Sequence, residues 1–204
     1  TYPTHGLGPV CLAMNINRGD RMKTLVSMST RQAGLTAYAQ KHFGISSEES
    51  KQTYKLGDFS TTIIQTEKGH TILLKNSMSI PQPYSRVYSL NGTKGYMVKY
   101  PDQRIALEPD SDTMLTEKRM EELLERYKHP YIKTVGDKAI DLCGKRARDY
   151  IMDFRLVHCM HQGLPFDLDV YDAASWSAII ELTEQSVVKG IIPVEIPDFT
   201  QGKW

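Results

Sequence analysis

The sequence predicts an α+β fold: a largely antiparallel, open β-sheet with helices on one face and no Rossmann half. Two observations carry this. Strand-like runs cluster in the middle of the 204 residues, with helix-like patterns before and after them. A strict strand–helix alternation and a G-x-G-x-x-G turn are both missing from the chain. The length suits one sizeable domain spanning residues 1–204, or one plus a short appendage, large enough to bury a core without disulfides or a structural metal.

The elements follow in order. Leu7, Val10, Cys11 and Met14 recur at helical spacing, which predicts a short helix over Gly6–Met14 packed by one face. Gly6 and Gly8 weaken its first turn, as expected where something approaches the backbone closely. Arg21–Met28 reads as a strand. Ser29 or Thr30 can cap a helix running through Leu35, Tyr38, Ala39 and Phe43 to a stop at Gly44. Residues 45–55 are polar and read as an exposed loop.

Phe59–Thr66 and His70–Met78 are strands flanking a Glu67-Lys68-Gly69 turn. Tyr84, Arg86, Tyr88 and Leu90 alternate, so they share one face of a further strand. Asn91-Gly92 marks a turn, and Tyr96, Val98 and Tyr100 alternate beyond it. Thr116 can cap a helix over Glu117–Tyr127, with Pro130 just past its end. Ile140, Cys143, Ala147, Tyr150, Ile151, Phe154 and Val157 form the stripe of one long helix ending before Gly163. Asp172 can cap a last helix, with Trp176, Ile179, Ile180, Thr183 and Val187 inward and Gly190 as its stop. The tail, with Pro193 and Pro197, reads as extended.

Composition narrows the partners. Net charge is +1, from 25 basic and 24 acidic residues, so no global field favours nucleic acid or an anionic membrane. No run of 18 apolar residues predicts a transmembrane helix. Thr1 opens on Tyr-Pro-Thr-His with no leader-like pattern, which suggests the interior of a longer protein whose compartment signal lies upstream. Cys11, Cys143 and Cys159 form no C-x-x-C pair and read as core thiols.

Chemistry concentrates in Tyr2-Pro3-Thr4-His5-Gly6-Leu7-Gly8-Pro9. Pro3 suits a helix entrance, which places Thr4 or His5 at the positive end of the helix dipole. There a neutral imidazole can accept a proton, with the Tyr2 hydroxyl three residues away. The plainer reading is a helix cap beside an incidental histidine. Pro81-Gln82-Pro83-Tyr84-Ser85-Arg86 is a second candidate. Tyr84 and Arg86 on one strand face can hold a polyhydroxylated ligand, or can be a packing pair. His158, Cys159 and His161 invite a metal reading, but nothing joins them at ligand spacing, so no metal is expected. Asp167 and Asp169 lie before a helix, where capping accounts for them.

The stretch Tyr2 to Val10, followed by Met14-Asn15-Ile16-Asn17-Arg18-Gly19-Asp20-Arg21, resembles the start of the C-terminal domain of glycoside hydrolase family 109, within the Gfo/Idh/MocA oxidoreductase superfamily. Val26-Ser27-Met28-Ser29, Tyr84-Ser85-Arg86, Asn91-Gly92-Thr93-Lys94-Gly95 and Tyr171-Asp172-Ala173-Ala174-Ser175-Trp176-Ser177 extend the resemblance to about residue 180 in the family's order. It implies the C-terminal part of a two-domain protein, whose own N-terminal Rossmann domain holds NAD while this domain helps form the sugar site. It implies α-N-acetylgalactosaminidase-like hydrolysis by oxidation at sugar C3, elimination of the aglycone, water addition and reduction. The matching substrate contacts are Tyr2, Pro3, Thr4, His5 and Tyr84, with His5 for proton transfer and Tyr2 as a supporting hydroxyl; strand phase adds Arg86. The resemblance further implies a homo-oligomer through the free sheet face, and a fragment inactive by itself. An NAD(P)-dependent sugar dehydrogenase and a non-catalytic sugar-binding or oligomerisation module are the alternatives.

Overall fold

A computed structural model describes residues 3–55, 57–77 and 79–204. Tyr2, one of the expected site residues, lies outside them. In chain order the elements are α1 (Thr4–Ala13), β1 (Met22–Ser29), α2 (Gly34–Phe43), α3 (Glu48–Lys51), β2 (Phe59–Thr66), β3 (Thr71–Ser77), β4 (Ser89–Gly92), β5 (Gly95–Val98), β6 (Arg104–Leu107), α4 (Glu117–Arg126), α5 (Pro130–Cys143), α6 (Ala147–Gln162), α7 (Val170–Val188) and β7 (Val194–Glu195). The chain divides into two compact units, Thr1–Arg86 with Val170–Trp204, and Val87–Asp169. The fold is α+β with antiparallel sheets and helices, and the described residues contain no Rossmann half.

The first unit is built on a four-stranded sheet in the order β3-β2-β1-β7, with every neighbouring pair antiparallel. Alternation decides its faces. In β2, Thr62, Ile64 and Thr66 are buried while Ile63 and Gln65 are exposed. In β1 the register slips between Met22 and Thr24, so Met22 and Leu25 bury on the same side despite their odd separation. Onto this face pack α1 and α7, giving a core of Leu7, Cys11, Ile16, Met22, Leu25, Ile64, Ile72, Trp176, Ile179, Leu182 and Ile196. Burying a side chain of this kind contributes about 1.5–3 kcal/mol, so this layer is the main source of cohesion in the unit.

The β2–β3 hairpin turns at Gly69, whose φ of 87° favours glycine, as the sequence predicts. Gly44, at φ 92°, ends α2 as expected. The start of α2 differs from expectation. Neither Ser29 nor Thr30 caps it; the Asp58 carboxylate accepts from Ala33 N at 2.7 Å and from Gly34 N at 2.9 Å. Only Ala39 of α2 is buried, and Tyr38 and Phe43 stay exposed. The polar stretch after α2 holds the short α3, capped by Ser47.

In α7 the inward stripe is Asp172, Ser175, Trp176, Ile179, Leu182 and Ser186, whereas Ile180 is 44% exposed. Asp172 is not the cap of this helix. It lies inside the first turn and faces Arg18.

The second unit holds the three-stranded antiparallel sheet β4-β5-β6 and the helices α4 to α6. Thr116 caps α4 as predicted, accepting from Arg119 N. Three expectations fail here. Residues 81–88 form no strand, because Val87 and Tyr88 take φ of 57° and 47° and turn the chain before β4. Asn91-Gly92 belongs to β4, and the hairpin turn is Thr93-Lys94, since Gly92 pairs with Gly95. The long helix is two, broken at Gly144, whose φ is 50°. The apolar stripe bridges that break, so it reads as continuous in sequence, yet Ile140 and Val157 end 59% and 61% exposed. Gly163 closes α6 in the left-handed conformation, as predicted.

Candidate functional site

α1 starts two residues earlier than its apolar pattern suggests because Pro3 supplies the entrance. The Pro3 carbonyl accepts from Gly6 N at 2.9 Å and Leu7 N at 2.8 Å, and Pro3 itself is buried. Thr4 and His5 therefore occupy the first helical turn, where the sequence places them. Leu7, Gly8 and Cys11 form the buried face. His5 lies about 200° around the helix from Leu7 and is exposed; Thr4 is half-buried. The arrangement places His5 in the first turn of a helix whose opposite face is buried.

Close approach explains Gly8. The indole of Trp176 lies against its Cα, and a Cβ there would stand 3.0 Å from Trp176 Cζ3. The neighbour that needs this glycine is the protein core, not a ligand. Cys11 is equally a core group: burial, helped by the charge of Asp172, pushes its thiol up to about 12. A thiol so protonated is no nucleophile.

The segment after α1 is a clamp. Asn15 and Asn17 take positive φ, 55° and 62°, which asparagine tolerates, and bury Ile16 completely. Arg18 Nη1 donates to Asp172 Oδ1 at 2.8 Å and Nη2 to Oδ2 at 2.6 Å. Asn17 Nδ2 donates to Ser175 Oγ at 3.1 Å. On the other side the Asp20 carboxylate accepts from Arg21 N and Lys68 N and meets His70 Nδ1 at 3.0 Å. Burial of Asp20 opposes its ionisation, but the bonds from His70, Thr66, Lys68 and Arg21 outweigh it and hold the carboxyl below its ordinary range. These residues anchor α1 to α7 and to the β2–β3 hairpin.

Tyr84 and Arg86 do come together, though not through strand phase. The Arg86 guanidinium carbon is 5.5 Å from the Tyr84 ring centroid, and the Tyr84 ring is 70% exposed. A shallow hollow lies elsewhere in the same unit, lined by Asn17, Arg21, Met22, Ser175, Ile196, Pro197, Asp198 and Phe199. Its charged groups are engaged: Arg21 with Glu67, and Asp198 with Thr200 and Gly202. Among the described residues, none of the expected sugar contacts lines it.

The remaining candidates are structural. Cys159 is buried; the His158 ring stacks on Phe154, and His161 contacts Gln162. Asp167 is the partner of Arg155, which donates to it through Nε and Nη2 and to Tyr131 Oη through Nη1. Cys143 departs from the core-thiol reading, being exposed. Among the described residues no group of three His, Cys, Asp or Glu side chains is placed to hold a metal ion, and no helix is long and apolar enough to cross a membrane.

A dinucleotide cradle needs backbone N–H groups open at a helix that follows a strand. The start of α2 after β1 is the closest approach to that pattern, and there the Asp58 carboxylate already takes the N–H groups of Ala33 and Gly34. Ser79 Oγ donates to it as well, at 2.7 Å. This position does not fit a pyrophosphate.

The family model for the C-terminal domain of glycosyl hydrolase 109 matches residues 1–204. The chain belongs to that family. It is 56% identical over its whole length to an alpha-N-acetylgalactosaminidase of Bacteroides fragilis, of which it covers 48%. It is 55% identical to glycosyl hydrolase family 109 protein 2 of Phocaeicola vulgatus, covering 49% of it, and 45% identical to a glycosyl hydrolase family 109 protein of Solibacter usitatus, covering 46%. The chain thus spans about half the length of the curated relatives it matches. As a glycosyl hydrolase 109 C-terminal domain, it presents Thr4 and His5 on a helix start braced by the core. Sequence reasoning missed the Asp58 and Asp172 anchors, for which the only signal was a carboxylate in an otherwise apolar or glycine-bearing context.

Proposed function

We propose that this chain supplies part of the sugar site of a glycoside hydrolase acting on α-N-acetylgalactosaminides, with NAD held by residues outside the chain. The observation that carries the reading is the whole-length match to the glycosyl hydrolase 109 C-terminal domain, together with 56% identity to a relative named alpha-N-acetylgalactosaminidase. The exposed His5 at a braced helix start supports it. Bound nicotinamide supplies hydride removal and return at the sugar. The residues of this chain bind and orient: His5 exchanges the proton at sugar C2, Thr4 and Tyr2 hold hydroxyls, Pro3 shapes the wall, and Tyr84 with Arg86 covers the ring. Without the dinucleotide-bearing half the chain is inactive.

The free face of the four-stranded sheet is the surface for a second copy. Met28, Ile63 and Leu73 on it are 57%, 48% and 59% exposed, and Ile63 pairs with Leu73 across the strands.

Turnover of an α-N-acetylgalactosaminide by the full-length enzyme in deuterated water tests the chemistry. Deuterium at C2 of the released sugar is expected, as is a loss of about 10²–10⁴-fold in kcat for His5→Ala. Hydrolysis with no C2 label overturns the proton-transfer role. Free NADH accumulating with an unglycosylated sugar replaces hydrolysis by dehydrogenation, and full turnover by His5→Ala removes His5 from the chemistry.

A further inference from the structure

We infer that Gly8 and Trp176 form a positioning contact that sets where the first turn of α1, and with it His5, stands. The conformation at Gly8 is ordinary helix, so its missing side chain matters for space alone. A Cβ there would lie 3.0 Å from Trp176 Cζ3, 3.3 Å from Cη2 and 3.4 Å from Cε3. Carbon atoms rest at about 3.5–4.0 Å, so the shortfall is about half an ångström. At Gly6, nearer to His5, the closest atom to a Cβ among the described residues is Leu74 Cδ1 at 4.0 Å.

The indole is the rigid partner. Trp176 is only 8% exposed and sits in the core among Leu7, Cys11 and Ile179. The two ends of α1 are held unequally. Beyond its C-terminal end, Arg18 and Asn17 tie the following loop to Asp172 and Ser175 of α7. Its N-terminal end has no side-chain cap. A methyl group at position 8 therefore lifts the N-terminal turn more than the rest. His5 stands about 4.5 Å along the helix axis from Gly8 and moves with that turn. The catalytic consequence rests on the proposal that His5 serves the sugar ring.

The test uses Gly8→Ala, Trp176→Phe and the double variant in full-length enzyme, with thermal melting, kcat and KM on an α-N-acetylgalactosaminide, and NMR of the His5 imidazole. Gly8→Ala is expected to lower kcat about tenfold in folded enzyme with KM changed less, since a misplacement near 1 Å costs up to about 10²-fold. Trp176→Phe withdraws the same ring edge and also lowers kcat. The double variant recovers most of the loss, and the His5 ring signals shift in each single variant and return in the double. Lower melting temperatures with unchanged kcat and unchanged His5 signals overturn the inference, as does a double variant whose losses multiply. Should Gly8→Ala not fold, unchanged kcat and His5 signals in Trp176→Phe overturn it equally. His5 signals that shift and return in an enzyme that cleaves no such glycoside retain the positioning contact and overturn the sugar reading instead.

Discussion

Arg18 and Asp172, 154 positions apart, meet in a two-pronged ion pair of 2.8 and 2.6 Å, with the Asp172 side chain 1% exposed and that of Arg18 35% exposed. The pair joins the end of α1 to the first turn of α7, so it links the element carrying His5 to the helix that fills the core. Its two members are unequal: one is solvated in part, the other cannot shed its charge to water.

Arg18→Met is accordingly expected to destabilise the protein, by up to about 3–5 kcal/mol, because it takes the cation away from a buried carboxylate that keeps only neutral help such as Asn17 Nδ2 at 3.4 Å among the bonds described. Replacing both, Arg18→Met with Asp172→Leu, is expected to cost much less. Chemical denaturation of the three proteins checks this; equal losses for the single and double variants would show that the charge itself is not the cost.

Asp58 gives a pH prediction. The Ser79 hydroxyl and the Gly34 and Ala33 N–H groups hold its carboxyl below the ordinary value of 3.8. A depressed native pKa means the stabilisation is complete above the unfolded value, about 3.9, and is lost as pH falls through the lower native one. Asp58→Asn should be less stable than the wild type at pH 7, with the gap closing as pH falls below about 4. Melting temperatures across that range decide it, and a pH-independent gap counts against it.

The three thiols should separate in reactivity. Cys11 and Cys159 are each 1% exposed, and burial keeps Cys11 protonated far above neutral pH. An alkylating reagent at pH 8 should leave both unmodified in the native protein and label them only after denaturant is added, as read by mass spectrometry. Native labelling of Cys11 would contradict the packing of α1 on α7.

The sheet face makes an association prediction. A charge at Ile63 or Leu73, such as Ile63→Asp, should shift the sedimenting species toward monomer with little change in melting temperature, since both side chains already face outward. An oligomer that persists unchanged would assign association to another surface.

Much of the fold was legible locally. The β2–β3 hairpin about Gly69, the Gly44 and Gly163 stops, the Thr116 cap and the buried face of α1 all follow from side-chain period and from φ values that few residues adopt. The position of His5 in the first turn of a helix was legible for the same reason. Tyr84 and Arg86 were recognisable as a pair, but for the wrong cause. Alternation promised a shared strand face, whereas the positive φ at Val87 and Tyr88 breaks the strand and a cation–ring contact brings them together.

By itself, then, the amino-acid order determined the α+β class, the β2–β3 hairpin, the Thr116 cap and the stops at Gly44 and Gly163, because those obey rules spanning a few residues. Tertiary structure alone decided that Asp58 rather than Ser29 caps α2, that Asp172 answers Arg18, that Gly8 makes room for Trp176, and that the stripe over Ile140–Val157 folds back at Gly144. Each of those outcomes depends on a partner brought near by the chain's path or on a break that periodicity does not register. Which carboxylate reaches which donor is a matter of geometry across tens of residues, and no local pattern encodes it.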